Sequence, residues 1–301
     1  MVEQDMQPDV ITYSALISAF SQGGQWEWAL GILLNMQEQG LEPGVISYNA
    51  VISACEKSDQ WEWALVVMSK MHGQNVNRDV ITYNALIAAC SKGEQWERAL
   101  GLLEDMQETD LEPDVISYNA AIGACSKGEK LAQNQFSRDA AIGEQWERAL
   151  CLFVEMQHAD LEPDVISHNA VICACESGEQ WEQALESVAE MQHKRLEPNL
   201  ISYSASTSAC SNAQHWAWAI EMLSQMQGEG LTPNRIVRNA AISAGMQWEQ
   251  ALWMAMEVTE FLCGMDLIRL QQDSISYGAT LRSLGLGGAW RAASMVLAAM
   301  P

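Results

Sequence analysis

The sequence predicts an all-α solenoid built from a repeated helix-turn-helix unit. Three observations lead there: a phrase that returns every 35 residues, two helical patterns in each return, and a proline break before the next. The phrase reads VITYSALISAF from Val10, VISYNAVISAC from Val45 and VITYNALIAAC from Val80. A fixed period implies units that touch only their neighbours, so the 301 residues form one extended array and not the two domains that length alone suggests. With 49% apolar and 18% charged residues, the chain has the material for a substantial core.

Counted from the start of the phrase, six units span 10–44, 45–79, 80–114, 115–164, 165–199 and 200–234. Residues 1–9 read as the tail of a preceding repeat, since DMQPDV parallels LEPDV at 111–115. In the third unit Tyr83, Leu86, Ile87 and Cys90 fall at offsets 0, 3, 4 and 7, the apolar stripe of a first helix. Trp96, Ala99, Leu100, Leu103 and Met106 make a second stripe, Gly93 lies between the two, and LEPD at 111–114 ends the unit. Neither helix buries its apolar face alone, so successive pairs stack and share a continuous core.

The fourth unit is about 15 residues longer than the rest, with KLAQNQFSRDAAIGE at 130–144 between its helices. Two readings are open for this insert: a surface loop, or the remnant of another first helix, because RDAAIGEQWERAL at 138–150 resembles RNAAISAGMQWEQAL at 238–252. Residues 235–301 hold a degenerate and a truncated unit, either a C-terminal cap or decayed repeats.

Trp26, Trp61, Trp96, Trp146, Trp181, Trp216, Trp248 and Trp290 recur at the start of the second helix. Their place in the stripe predicts core anchors, with base-stacking platforms as the second reading. Cys55, Cys90, Cys125, Cys175 and Cys210 each hold the eleventh place of a unit, a small-residue packing position, so the eight cysteines are not read as a disulfide framework. Cys173-x-Cys175 lacks the second pair or histidine cluster of a zinc set, and no metal is expected. No apolar stretch approaches the about 18 residues of a membrane span, so no membrane partner is expected. The N-terminal MVEQDMQPDV has neither a basic nor an apolar leader pattern.

One polar residue interrupts each apolar phrase. At about 100° per residue, Ile81, Asn84, Ala88 and Lys92 share a face opposite the stripe of Tyr83, Leu86, Ile87 and Cys90. Stacked units then line up an aliphatic residue, an Asn or Ser, and in three units Lys57, Lys92 and Lys127. Two roles fit the Asn: it bonds local backbone near the helix start, or its amide, donor and acceptor at once, reads a base edge.

The phrase VITYNALI with KGEQWERALGLLEDMQETDLEPD at 92–114 resembles the pentatricopeptide repeat, a 35-residue helical hairpin, closely over 10–234 and weakly over 235–301. The resemblance implies a right-handed α-solenoid superhelix that binds single-stranded RNA, about one nucleotide per repeat. It implies that the fifth and last residues of each unit choose the base. The pairs are Ser14 with Gly44, Asn49 with Asp79, Asn84 with Asp114, Asn119 with Asp164, Asn169 with Asn199, and Ser204 with Asn234; Asn239 with Asp273 follows if the degenerate unit folds. Ile11, Ile46, Ile81, Ile116, Ile166, Ile201 and Ile236 would wedge between bases, and Lys57, Lys92 and Lys127 would contact phosphate. By the family's code the Asn–Asp pairs imply uracil, Asn169–Asn199 a pyrimidine and Ser204–Asn234 adenine, hence a U-rich or pyrimidine preference. The resemblance also points to a mitochondrion or chloroplast and to RNA processing, stability or translation.

The net charge of −23 argues against nonspecific attraction to a polyanion. Much of the acid, such as Glu62, Glu97, Glu147 and Glu182, lies on second helices, away from the Asn face. The charge also suits a different function, a scaffold whose repeats hold a peptide or basic protein partner. His72, His158, His168, His193 and His215 occur singly, and no phosphate loop or deaminase signature follows the array. No enzyme, cofactor or small-molecule substrate is expected.

Overall fold

The computed structural model describes residues 9–127 and 135–244, and over them the chain is helical with no strand. It divides into two compact units, Met1–Pro163 and Asp164–Pro301. The first holds α1 (Val10–Gln22), α2 (Trp26–Glu38), α3 (Val45–Lys57), α4 (Trp61–Gly73), α5 (Val80–Lys92), α6 (Trp96–Glu108), α7 (Val115–Cys125) and α8 (Gln135–His158). The second holds α9 (Val165–Ser177), α10 (Trp181–His193), α11 (Leu200–Asn212), α12 (Trp216–Gly228) and α13 (Arg235–Ala244).

Each first helix begins where the last residue of the preceding repeat caps it. The Asp79 carboxylate accepts from the backbone N–H of Thr82 at 2.8 Å and that of Asp114 from Ser117 at 2.9 Å, while the hydroxyls of Thr82 and Ser117 return to the cap backbone. These are reciprocal capping boxes, which satisfy donors that a helix start otherwise leaves open. Between the two helices of a repeat the backbone turns through a left-handed residue: Gly24 at φ +65°, Asp59 at +56°, Glu94 at +58°. Glycine takes that conformation without strain, the acidic residues at some cost.

In the first unit α1, α3, α5 and α7 stack in succession, and each of α2, α4 and α6 packs on its own first helix and on the next one. The second unit repeats this with α9, α11 and α13. Ala54, Ala89 and Ala124 are wholly buried on the first helices, and residues this small let packed helices come close. Tyr83, Leu86, Ile87 and Cys90 are likewise buried, as their helical spacing requires. Buried tyrosine hydroxyls tie neighbours together; Tyr48 Oη accepts from Gln37 Nε2 at 3.0 Å and donates to Gln74 Oε1 at 2.7 Å.

Burial raises the thiol pKa of Cys55, Cys90 and Cys210 to about 11 and of Cys125 and Cys175 to about 12, as packing residues would show. No group of three or more His, Cys, Asp or Glu gathers as for a metal among the described residues, and no helix there is long and apolar enough to cross a membrane.

The tryptophans are less enclosed than their stripe predicts. Trp26, Trp61, Trp96, Trp146 and Trp181 are half-buried, with Trp181 packed against the buried Cys210 and Ala219. Side chains from the next repeat lie on three of them: Trp63 on Trp26 (ring centroids 5.5 Å), the Arg98 guanidinium on Trp61 (4.4 Å), and Trp218 and His215 on Trp181 (6.4 and 4.1 Å). The side chains of Trp216, Trp248 and Trp290 lie outside the described residues. The insert also differs from a surface loop, since from Gln135 onward it is helical and runs into the second helix of its repeat as one 24-residue element, α8. Residues 130–134 and the expected cap or decayed repeats beyond Ala244 lie outside the described residues.

In the fifth repeat His168 takes the place of the buried tyrosine. Its Nδ1 lies 3.2 Å from Ser187 Oγ, and Ser187 in turn replaces the aliphatic residue found at Val67 and Leu102 in other repeats. The two changes make a buried polar pair inside one hairpin.

Candidate nucleic-acid interface

The first helices turn one face to their neighbours and leave another free. On the free face the second residue of every described repeat is an exposed isoleucine: Ile11 76%, Ile46 73%, Ile81 65%, Ile116 62%, Ile166 63%, Ile201 56% and Ile236 59%. Beside each, three residues on, stands the half-buried or buried polar residue that interrupts the phrase.

Asn49, Asn84 and Asn169 turn their amides to the last residue of their own repeat. Asn49 Nδ2 donates to Asp79 Oδ1 at 3.0 Å, and Asn84 Nδ2 to Asp114 Oδ1 and Oδ2 at 3.1 and 3.3 Å. Asn169 Nδ2 reaches Asn199 Oδ1 at 3.4 Å. Fifth and last residues of one repeat therefore meet in space, because the last residue caps the helix stacked next to the one carrying the fifth. The serines behave otherwise: Ser204 Oγ donates to Leu200 O at 2.6 Å and Ser14 Oγ to Val10 O at 2.7 Å, the local bonding considered for the asparagines. Ser14 also meets Ser47 Oγ at 2.8 Å, while Gly44 offers no side chain. Asn234 caps α13 through Val237 N–H at 2.9 Å, and Asn239 lies on that helix with Asp273 outside the described residues. Asn119 belongs to the first compact unit and Asp164, which caps α9, to the second.

A third group, absent from the expected set, joins each pair. Thr82 Oγ1 donates to Asn49 Oδ1 at 2.6 Å, Ser117 Oγ to Asn84 Oδ1 at 2.5 Å and Ser202 Oγ to Asn169 Oδ1 at 2.6 Å. These hydroxyls sit at the third place of the following repeat, on the packing side of the helix. Nothing in the phrase itself flags them beyond a hydroxyl residue in that place. The amide is thus held at both ends, leaving one N–H and one lone pair for a ligand. Burial works to raise the Asp79 and Asp114 carboxyls, but hydrogen bonds from Thr82 and Asn49, and from Ser117 and Asn84, outweigh it and hold both below the ordinary carboxylate value.

The lysines are less free than the sequence suggests. Lys57 Nζ donates to Ser21 O at 3.2 Å; Lys92 Nζ donates to Glu56 O at 3.2 Å and pairs with the Glu56 carboxylate at 3.1 Å. Each reaches the last turn of the preceding first helix, where open carbonyls and the helix dipole attract a cation. A phosphate at Lys57 or Lys92 would have to compete with these bonds. Lys127 is exposed.

Residues 1–58 and 151–213 match the family described as Pentatricopeptide repeat domain, and residues 43–92 and 78–127 match the PPR repeat family. Together they cover more than half of the 301 residues. Among solved structures, a pentatricopeptide repeat protein from maize aligns over 96% of this chain at 22% identity and a TM-score of 0.53, the chain spanning 44% of that protein. The PPR domain of Arabidopsis thaliana protein-only RNase P 1, solved in complex with tRNA, aligns over 68% of this chain and 95% of its own at 17% identity and a TM-score of 0.52. The nuclear proteinaceous RNase P 2 of Arabidopsis thaliana aligns over 71% of this chain and 42% of its own at 15% identity and a TM-score of 0.53. None of the curated proteins matches.

Proposed function

Since the chain belongs to the pentatricopeptide repeat family, we propose that it binds single-stranded RNA along the free faces of its first helices, about one nucleotide per repeat, and serves organellar RNA processing, stability or translation. The observation that carries this reading is the row of isoleucines, each 56 to 76% exposed, at one fixed place in seven successive repeats. Leaving such a side chain in water forgoes about 1.5–3 kcal/mol of burial. A single case is ordinary surface; a periodic one fits a ligand with flat apolar faces at regular spacing, as unstacked bases have.

The asparagine beside five of these isoleucines, Ile46, Ile81, Ile116, Ile166 and Ile236, supports base reading. Its remaining N–H and lone pair complement uracil, which offers carbonyl acceptors on either side of an N–H donor. The implied preference along the array is an unassigned base, then U, U, U, pyrimidine, A and U. A domain of the same fold solved in complex with tRNA supports an RNA partner. Mitochondrion or chloroplast is the compartment this function suits.

Binding to a randomised single-stranded RNA pool at moderate salt, followed by sequencing of the retained fraction, tests the reading. Enrichment of a U-rich core leading into A supports it. An unenriched pool favours instead a scaffold for a basic peptide, which the net charge of −23 and the engagement of Lys57 and Lys92 within the protein would suit.

A further inference from the structure

We infer that the hydroxyl at the third place of each following repeat, Thr82, Ser117 or Ser202, is a positioning residue that fixes the amide of the preceding asparagine and so sets base choice. The inference rests on the RNA-binding reading above. Each hydroxyl has a single proton and two oxygen acceptors in reach, and for Thr82 Oγ1 the two are nearly equidistant, Asn49 Oδ1 at 2.6 Å and Asp79 Oδ1 at 2.7 Å. Ser117 Oγ lies 2.5 Å from Asn84 Oδ1 but 3.0 Å from Asp114 Oδ1, and Ser202 Oγ lies 2.6 Å from Asn169 Oδ1 but 3.2 Å from Asn199 Oδ1. The cap oxygen is already supplied by a backbone N–H and by the asparagine itself, so the proton goes to the amide oxygen.

Held only through its nitrogen, the amide is free to swing about that bond. Held through nitrogen and oxygen it keeps one plane, and the free N–H and lone pair keep fixed directions. In the fifth repeat the nitrogen contact is long, 3.4 Å, while the hydroxyl contact stays at 2.6 Å, so the hydroxyl is the firmer of the two anchors there. The sixth repeat lacks both parts of the arrangement: its fifth residue is Ser204, which bonds Leu200 O of its own helix at 2.6 Å as Ser14 bonds Val10 O, and the next unit offers Val237 in the third place.

The test compares RNA oligomers that differ only in the base facing the third repeat, bound to the full chain, to Ser117→Ala and to Ser117→Thr. Thr82 shows that the buried site accepts threonine. Wild type should prefer U there, Ser117→Ala should lose roughly tenfold of that preference while preferences at other positions hold, and Ser117→Thr should keep it. A purely structural role would lower affinity for all oligomers alike and leave the ratio intact, and an intact ratio in Ser117→Ala overturns the inference. No base preference in the wild type itself would instead remove the RNA reading, and this inference with it.

Discussion

The side-chain amide of Asn84 donates to the carboxylate of Asp114, 30 residues further along the chain, at 3.1 Å. The same carboxylate caps α7, so one group serves both helix and site. Asp114→Ala should therefore cost about 1–2 kcal/mol in urea unfolding. Its folded carboxyl lies below the ordinary value of 3.8, so this stability is present above that value and is lost as pH falls through the folded one. Wild type and variant should converge in acid; a gap that persists there would contradict the assignment.

Tyr83 Oη is buried without a hydrogen-bond partner, whereas Tyr48, Tyr118 and Tyr203 accept from Gln37, Gln107 and Gln192. His72 holds the corresponding place before Tyr83. Replacing it, His72→Gln, should stabilise the chain by about 0.5–1.5 kcal/mol, seen as a higher urea midpoint at constant slope.

A Cβ at Gly93 would overlap the indole of Trp61, while one at Gly23, the matching residue of the first repeat, meets nothing nearer than 3.6 Å. Gly93→Ala should cost about 1–3 kcal/mol and change Trp61 fluorescence, with Gly23→Ala within about 0.5 kcal/mol of wild type. Equal effects would mean that Trp61 yields freely.

His168 is held below its ordinary value of 6.5, chiefly by burial with Lys194 adding to it and Glu190 and Asp164 opposing. Between that folded value and 6.5 the unfolded chain binds more protons, so stability falls as pH drops through this window. The variant His168→Tyr should flatten that slope in unfolding curves taken from pH 7.5 down, whatever its absolute stability.

With three lysines at most facing the site, RNA affinity should fall with salt on a log–log slope no steeper than about −2. A much steeper slope in fluorescence anisotropy would place the contact surface elsewhere.

How far the sequence reached depended on how local each feature is. Ile81 and Asn84 against Tyr83 and Leu86 follow from helix geometry alone, and the structure keeps them on opposite faces. The roles of Thr82, Ser117 and Ser202 were hidden, because a hydroxyl on the packing side looks like a helix cap until the neighbour's amide, 33 residues earlier, is beside it. The bonds of Lys57 and Lys92 were hidden for a like reason: their carbonyl partners Ser21 and Glu56 belong to another repeat. Trp26, Trp61 and Trp181 take part of their cover from the following unit, which spacing within one unit does not reveal.

The group of Asn49, Asp79 and Thr82 straddles the boundary between two 35-residue units. A hybrid array cut just before Val80 would hand Asn49 whatever third residue the new neighbour brings. Thr12, Ser47, Thr82, Ser117, Ser167 and Ser202 all carry a hydroxyl, so most junctions in this chain are interchangeable, and a duplicated or transplanted unit arrives ready to complete its neighbour. The junction at Val237 is the exception, and a unit spliced there would inherit an unanchored partner.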